Sequence, residues 1–281
     1  QTAFAYAQER KQGKAEGVEG PAPILHHADV RRTLTTMRAR VAAARSICYA
    51  CAVAADLAEA SPDADVRAAA KLREDLLTPI AKAWSSDMGV EVASMGVQVH
   101  GGMGFMNETL AAQLYRDSRI APIYEGTNGI QAIDLVGRKL SGTNGESMRV
   151  MLGEIEASAA AARATNDPQL VQIADRLRAA AEALREASDW MLAQMKSRDQ
   201  DKALAGATAY LALAGDVIGG HFLTRAAVAA RSSDGAARAR RLALAGFFAE
   251  TALASAPGRV AGITEGGSRF LDNSEALFGI A

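Results

Sequence analysis

The sequence has little of several features that mark particular protein classes. Aromatic residues make up 5% of its 281 residues, and it holds 7 prolines and 2 cysteines. Two cysteines cannot supply a disulfide framework, and their scarcity suits a reducing, cytoplasmic compartment. Lys and Arg number 31 against 32 Asp and Glu, for a formal net charge of −1. That balance carries no electrostatic footprint for nucleic acid. The short basic clusters Arg31-Arg32 and Arg238 to Arg241 read as solvated helix faces. No uninterrupted apolar run approaches the ~20 residues needed to span a bilayer, and the N-terminus lacks a charged-then-apolar signal layout. His26, His27 and His221 have no cluster of ligating residues around them, so no metal site is expected.

What the sequence does have is alanine. The hydrophobic fraction is 49%, with few aromatics, so the core is built from small and aliphatic side chains. Alanine is the strongest intrinsic helix former. Period-2 alternation is absent and steps of 3 and 4 recur, which predicts an all-α protein. The pair Cys48 and Cys51 has the spacing of a redox motif. It lies mid-helix, in the series Leu34, Met37, Val41, Ala44, Cys48, Cys51 and Ala55, so it reads as core packing rather than a thiol site.

Gln1 to Gln12 reads as the end of a helix that begins without a cap or a start methionine. A glycine- and proline-containing linker, 13–23, follows. Long helices are expected at about 29–60 and 63–99, the second with a stripe of Leu77, Ile80, Trp84, Met88, Val92 and Met95, and with Pro79 kinking or splitting it. Shorter helices are expected at about 108–118 and 128–140. Ser141 to Gly145 is the strongest linker candidate, dividing a domain of residues 1–140 from one of 146–281. Four further helices, near 146–164, 168–196, 201–231 and 235–255, suggest an antiparallel bundle. The third carries Tyr210, Leu213, Val217, His221, Thr224 and Val228 on one face.

Chemistry concentrates in 97–131. Gly101, Gly102 and Gly104 permit close backbone approach between two helices. They fit a plain turn and a ligand cradle equally well. Gly126-Thr127 before a helix is a place where Thr127 can cap and free N–H groups can meet an anion. Glu125 stands beside those donors; a lone loop glutamate is more often simply solvated.

Three stretches in this order resemble the C-terminal signature of the acyl-CoA dehydrogenase family. They are Gln98-Val99-His100-Gly101-Gly102-Met103-Gly104, Tyr115-Arg116-Asp117-Ser118-Arg119, and Ile123-Tyr124-Glu125-Gly126-Thr127-Asn128-Gly129-Ile130-Gln131. Tyr6 to Gly13 and His27 to Arg32 resemble the family's preceding elements, with Ala28 where proline is common. The likeness covers about residues 1–140. Beyond 146 the chain is similar to a second helical module of a longer-chained branch, through Tyr210 to Val217. That branch includes long- or medium-chain acyl-CoA and methylmercaptopropionyl-CoA dehydrogenases.

The resemblance implies an FAD enzyme that converts an acyl-CoA thioester to a trans-2-enoyl-CoA. Glu125 would take the α-proton, and its own N–H would donate to the thioester oxygen. Tyr124 would line the acyl pocket, with Gly126 beside the substrate, and Thr127 would contact the FAD bound with Glu125. Arg10, Gln12, Gln98, Gly101 and Gly102 would reach the FAD of a neighbouring subunit, which implies a homodimer. Asn128-Gly129 departs from the common Ser-Gln pair, which puts one flavin contact in doubt. His100 is expected at a turn or flavin edge, and Arg116 and Arg119 as partners of nearby carboxylates. Electrons would pass to an electron-transfer flavoprotein, or to oxygen if the protein is an acyl-CoA oxidase. A non-catalytic dimerisation module is the alternative of another class. Nothing in the sequence resembles the helical and β-barrel domains that precede this region in the family. The chain is therefore expected to be a fragment that neither binds FAD tightly nor turns over acyl-CoA alone.

Overall fold

The computed structural model describes residues 1–197, 200–266, 271 and 273–279. It is helical throughout; among the described residues the one β-type pairing is an isolated bridge, Lys11 to Pro23. The helices are α1 (Thr2–Glu9), α2 (Ala28–Ala60), α3 (Ala64–His100), the short α4 (Gly102–Phe105), α5 (Ala111–Ser118) and α6 (Asn128–Asp134). Then come α7 (Glu146–Arg163), α8 (Pro168–Lys196), α9 (Asp201–Ala229), α10 (Gly235–Phe248) and α11 (Val260–Thr264). π-turns at Leu135–Leu140 and Ala249–Leu253 extend α6 and α10.

Several helix starts have a chemical cause visible in the chain. Asp63, Asp167 and Asp234 each accept backbone N–H bonds from the first turn of α3, α8 and α10. Such caps satisfy donors that the helix itself leaves unpaired. Pro168 adds a pre-set φ at the first position of α8.

Pro79 neither splits nor ends α3, which runs unbroken from Ala64 to His100. Pro79 is buried with Leu76, Leu77 and Ile80. Tertiary packing on that face compensates for the lost backbone bond.

The stripe expected on α2 is displaced. Its buried face is Ala39, Ala43, Ile47 and Ala54, while Val41 and Cys48 are exposed and Cys51 is half-buried. Small residues on that face let another helix lie close, since a Cβ on Gly219 of α9 would stand 3.0 Å from Ala43. The two thiols line the seam between α2 and α3. Cys48 reaches Ser85 Oγ at 3.5 Å and Cys51 reaches Thr78 Oγ1 at 3.6 Å. Burial pushes the Cys51 thiol up, away from the low values of a redox cysteine.

The stretch 141–145, expected as a linker, is a tight turn. Gly145 takes φ +79° and its N–H bonds the Leu140 carbonyl at 2.8 Å. Ser147 and Thr143 tie the turn to the Lys139 carbonyl. One hydrophobic cluster passes through the region, joining Ala39, Leu77 and Trp84 to Leu152, Leu177, Tyr210 and Phe248. The helix at its centre is α9, which packs on α2 and α3 as well as on α7, α8 and α10. Its face of Tyr210, Leu213, Val217, His221 and Thr224 is buried, with Val228 at the margin. Within it, Tyr210 and Ser188 share a hydrogen bond of 2.8 Å.

At the crossing of α3 and α9 the Trp84 indole lies against Gly215, where an added Cβ would overlap the ring. Trp84 Nε1 donates to Asp216 Oδ1 at 3.2 Å, and Arg259 donates to Asp216 Oδ2 at 2.5 Å. Burial pushes the Asp216 carboxyl above the usual carboxylate range, against the pull of Arg259 and Arg40.

By length and composition alone, α2 and the stretch Asp201–Ser232 each contain an 18-residue window apolar enough to cross a membrane, a test that core helices also pass. Alanine produces this result, since it raises mean hydropathy without any long run of large apolar residues. In the α9 window 67% of residues are buried inside the protein, against 17% in the α2 window.

Candidate active site

The candidate base sits on the loop between α5 and α6. Ile123 and Tyr124 N–H groups both bond the Ile120 carbonyl, at 3.0 and 3.1 Å, and Asn128 N–H closes the loop on the Pro122 carbonyl at 3.0 Å. Glu125 and Gly126 are consecutive left-handed residues, with φ +56° and +81°. For a residue with a Cβ that conformation costs roughly 1–2 kcal/mol. It persists because the loop is held from within. Gln131 Nε2 donates to the Glu125 carbonyl at 3.0 Å, and Lys82 Nζ donates to the Gly126 carbonyl at 2.7 Å. Thr127 caps α6, its hydroxyl accepting from Ile130 N–H at 3.4 Å.

Asn128 fastens the loop to α3. Its Oδ1 accepts from Lys82 Nζ at 2.8 Å, and its Nδ2 faces the Ala83 carbonyl, Ser86 Oγ and Asp87 Oδ1 at 3.0, 3.0 and 2.8 Å. The residue that departs from the Ser-Gln pair is thus turned into the protein, and its amide is not free for a ligand. Lys82, Ser86, Asp87 and Gln131 were not singled out in the sequence. On a helix dense in alanine, a lysine and a serine four residues apart look like a solvated face.

With both carbonyls drawn inward, the N–H groups of Glu125, Gly126 and Thr127 have no acceptor among the described residues. The Glu125, Gly126 and Thr127 side of the loop is exposed, as is Tyr124 at 56%. The same stretch of chain leaves Phe105 81% exposed, with Met103, Leu110, Leu114, Ile120 and Ile130 open as well. So many open large apolar side chains along one stretch of chain are uncommon on a surface that meets only water.

The second group of expected residues lies at the far end of α3. Gln98, Gly101 and Gly102 are exposed, Gly101 has φ +60°, and an added Cβ at either glycine would meet open space. Gly104 differs, since a Cβ there would overlap the Val97 carbonyl, so it serves the turn itself. His100 is buried; its Nδ1 lies 2.7 Å from the Gly96 carbonyl and its ring packs on Tyr6 at 4.5 Å. That contact brings α1 against the end of α3. Arg10 and Gln12 follow on a looped segment closed by Gln12 N–H to the Ala22 carbonyl at 2.9 Å and Ile24 N–H to the Arg10 carbonyl at 2.8 Å. Both side chains are exposed, and Arg10 has no ion pair among the described residues. Arg116 differs from expectation, bonding the Asn107 amide oxygen at 3.2 Å instead of a carboxylate.

The expected site residues therefore fall into two clusters on one helix. One is anchored at Lys82–Asp87 and the other surrounds Gln98–Gly102. At about 1.5 Å per residue, the eleven residue steps of α3 from Asp87 to Gln98 make a separation of roughly 17 Å.

Residues 1–141 match the family model "Acyl-CoA dehydrogenase, C-terminal domain", and 151–273 match "Acetyl-CoA dehydrogenase C-terminal like". The chain belongs to the acyl-CoA dehydrogenase family. It is 38% identical, over 98% of its length, to a 3-methylmercaptopropionyl-CoA dehydrogenase of Ruegeria pomeroyi, and covers 47% of that protein. It is 31% identical to the broad-specificity linear acyl-CoA dehydrogenase FadE5 of Mycobacterium tuberculosis, over 89% of this chain and 44% of that one. The chain thus spans about half the length of these relatives. Two solved structures share its fold. An acyl-CoA dehydrogenase of Bacillus anthracis complexed with FAD has TM-score 0.71 and 19% identity, over 99% of this chain and 49% of that one. Caenorhabditis elegans ACDH-11 in complex with C11-CoA has TM-score 0.74 and 20% identity, over 98% and 43%. Family members use FAD as cofactor.

The exposed residues fit such a cofactor. Gly101 and Gly102 offer bare backbone with room beside it, and Arg10 offers an unpaired guanidinium. The 125–127 loop offers unpaired amides next to an apolar face.

Proposed function

We propose that this chain carries the catalytic base of an FAD-dependent α,β-dehydrogenation of acyl-CoA thioesters, and that the base is Glu125. The observation that carries this reading is the 125–127 loop. A carboxylate and unpaired N–H groups share one turn, and that turn is held in a left-handed conformation beside an exposed apolar face.

In this reading the acyl chain lies on the apolar face by Tyr124 and Gly126. The Glu125 carboxylate takes the α-proton. The Glu125 N–H meets the thioester oxygen and stabilises the charge that builds there as the proton leaves. An α-proton beside a thioester is weakly acidic, so the positioned carboxylate and the stabilised oxygen are both needed. A bound flavin supplies acceptance of the β-hydrogen as hydride. Thr127 would contact that flavin, while Arg10, Gln12, Gln98, Gly101 and Gly102 serve the flavin of a second copy. The separation of the two clusters along α3 supports this assignment and a homodimer. The remaining walls of the site would come from polypeptide beyond these residues, so the chain alone would neither hold FAD tightly nor turn over substrate. We read residues 1–140 as the base-bearing unit and 146–281 as the added helical module. Electrons would leave to an electron-transfer flavoprotein in a reducing, cytoplasmic setting.

The test is Glu125→Gln in flavin-loaded enzyme containing this chain. Turnover should fall by about 10²- to 10⁴-fold, the range for loss of a general base, with flavin content kept. Survival of turnover and of α-proton exchange would remove Glu125 from the role. An oxidase reading draws on a shared fold with an acyl-CoA oxidase of Yarrowia lipolytica, TM-score 0.65 and 18% identity, over 98% of this chain and 43% of that one. Stoichiometric peroxide in steady state would favour it over the dehydrogenase.

A further inference from the structure

Resting on the assignment of Glu125 as base, we propose that Lys82 and Gln131 are positioning residues, a two-sided clamp that holds the base loop in its active conformation. Both residues are half-buried, and neither is among the groups that would meet substrate or flavin. Each instead grips one carbonyl from beneath, Gln131 that of Glu125 at 3.0 Å and Lys82 that of Gly126 at 2.7 Å.

The geometry of the peptide unit gives these grips their effect. A trans peptide is planar, and its C=O and N–H point to opposite sides. The Glu125 carbonyl shares a peptide with the Gly126 N–H, and the Gly126 carbonyl shares one with the Thr127 N–H. Tying each carbonyl inward therefore turns the paired N–H outward, and those amides indeed have no acceptor among the described residues. The ties also settle the left-handed φ of Glu125, +56°. Such a conformation at a residue with a side chain survives only where the surroundings over-determine it. Without the ties the loop would relax to commoner backbone angles and swing the carboxylate with it.

The clamp has a firm base. Lys82 also donates to Asn128 Oδ1 at 2.8 Å, and the Asn128 amide is itself held on Ala83, Ser86 and Asp87. Two residues beyond Lys82, Trp84 is fixed against α9 through Gly215 and Asp216. The added helical module thus braces the segment of α3 that holds the loop.

The experiment compares Lys82→Met, Lys82→Arg, Gln131→Leu and Glu125→Gln in flavin-loaded enzyme. Lys82→Met should lower kcat by about 10- to 100-fold, or about 1.4–2.7 kcal/mol of transition-state stabilisation. KM for acyl-CoA should stay within about threefold and flavin content should be unchanged, because contacts to the bound substrate remain. Lys82→Arg should restore most of kcat, since a guanidinium still reaches the carbonyl. Gln131→Leu should cost less, near tenfold. If Lys82→Met proves too unstable to purify, Lys82→Arg and Gln131→Leu carry the test, and wild-type kcat in Gln131→Leu overturns the proposal. So does a Lys82→Met enzyme with kcat within twofold of wild type, or one whose losses track flavin loss alone. Undiminished turnover in Glu125→Gln would instead sink the base assignment, whatever Lys82→Met shows.

Discussion

The two halves of the chain treat their apolar residues in opposite ways. Among the described residues, the exposed large apolar side chains fall almost wholly before residue 141; beyond it only Val150, Leu277 and Phe278 are open. In the later half, α7 to α10 turn Met151, Ile155, Leu177, Leu184 and Phe248 into a closed core. The earlier half buries one face of α2 and α3 and leaves Phe105, Ile120, Tyr124 and Ile130 to solvent. The difference teaches that the proposed substrate and cofactor contacts lie in the half that keeps its apolar side chains open. Strain follows the same divide, since Leu110 and Glu125, two of the four described non-glycine residues with positive φ, lie in the exposed stretch, and the others, Asn144 and Asn166, are asparagines in turns. Asparagine tolerates that conformation readily, whereas leucine and glutamate do not.

This contrast can be broken most forcefully where the halves meet. Trp84→Ala should destabilise the 281-residue chain by about 3–5 kcal/mol, the usual cost of emptying a buried aromatic site, and should be read from thermal or denaturant unfolding. A loss under 1 kcal/mol would show that the halves are only loosely joined. The closed core can be probed next through pH. Burial, with Arg225 and Arg73 nearby, lowers the His221 pKa to about 3 from an ordinary 6.5. Both ring nitrogens are buried with no hydrogen-bond partner among the described residues. A depressed folded value means the neutral ring favours folding fully above pH 6.5, with that contribution lost as pH falls toward 3. Unfolding midpoints followed from pH 7 to 4 should drop by roughly 1 kcal/mol per unit from this group, and His221→Leu should flatten that slope. An unaltered slope would mean that His221 is solvated when folded. The smallest effect belongs to the open face. Phe105→Ser should change the stability of the isolated chain by no more than about 0.5 kcal/mol, although Phe105 is as large as many core residues. A Tm loss of several degrees would show that the face is packed after all.

Much of the fold could be read from residue spacing. Steps of 3 and 4 and the glycine- and proline-containing breaks placed most boundaries within a few residues, and the aspartate caps of α3, α8 and α10 explain three of the starts. The phase of α2 could not be read so readily. In an alanine-rich helix several faces look alike, and the choice between Ala39-Ala43-Ile47 and Val41-Ala44-Cys48 depends on α9 packing on α2 as well as α3. That α3 runs unbroken through Pro79 was hidden for a related reason, since the cost of proline is local and its compensation comes from distant packing. At the site, the Glu125-Gly126-Thr127 motif and the Thr127 cap were legible. The anchoring bonds were not, because Lys82 and its acceptor on Gly126 are 44 residues apart. No periodicity links a lysine on one helix to a loop carbonyl so far along the chain.

The position of α9, in contact with helices of both halves, has a consequence for how the chain is made and unmade. A ribosome that has released everything up to Leu140 has produced α2 and α3 with the ledge around Trp84 and Ile80 still bare. That ledge stays sticky until α9 emerges some sixty residues later and covers it. Heat or denaturant meets the same arrangement in reverse, because pulling α9 away strips both halves together, and the molecule should melt in a single step, without a surviving half.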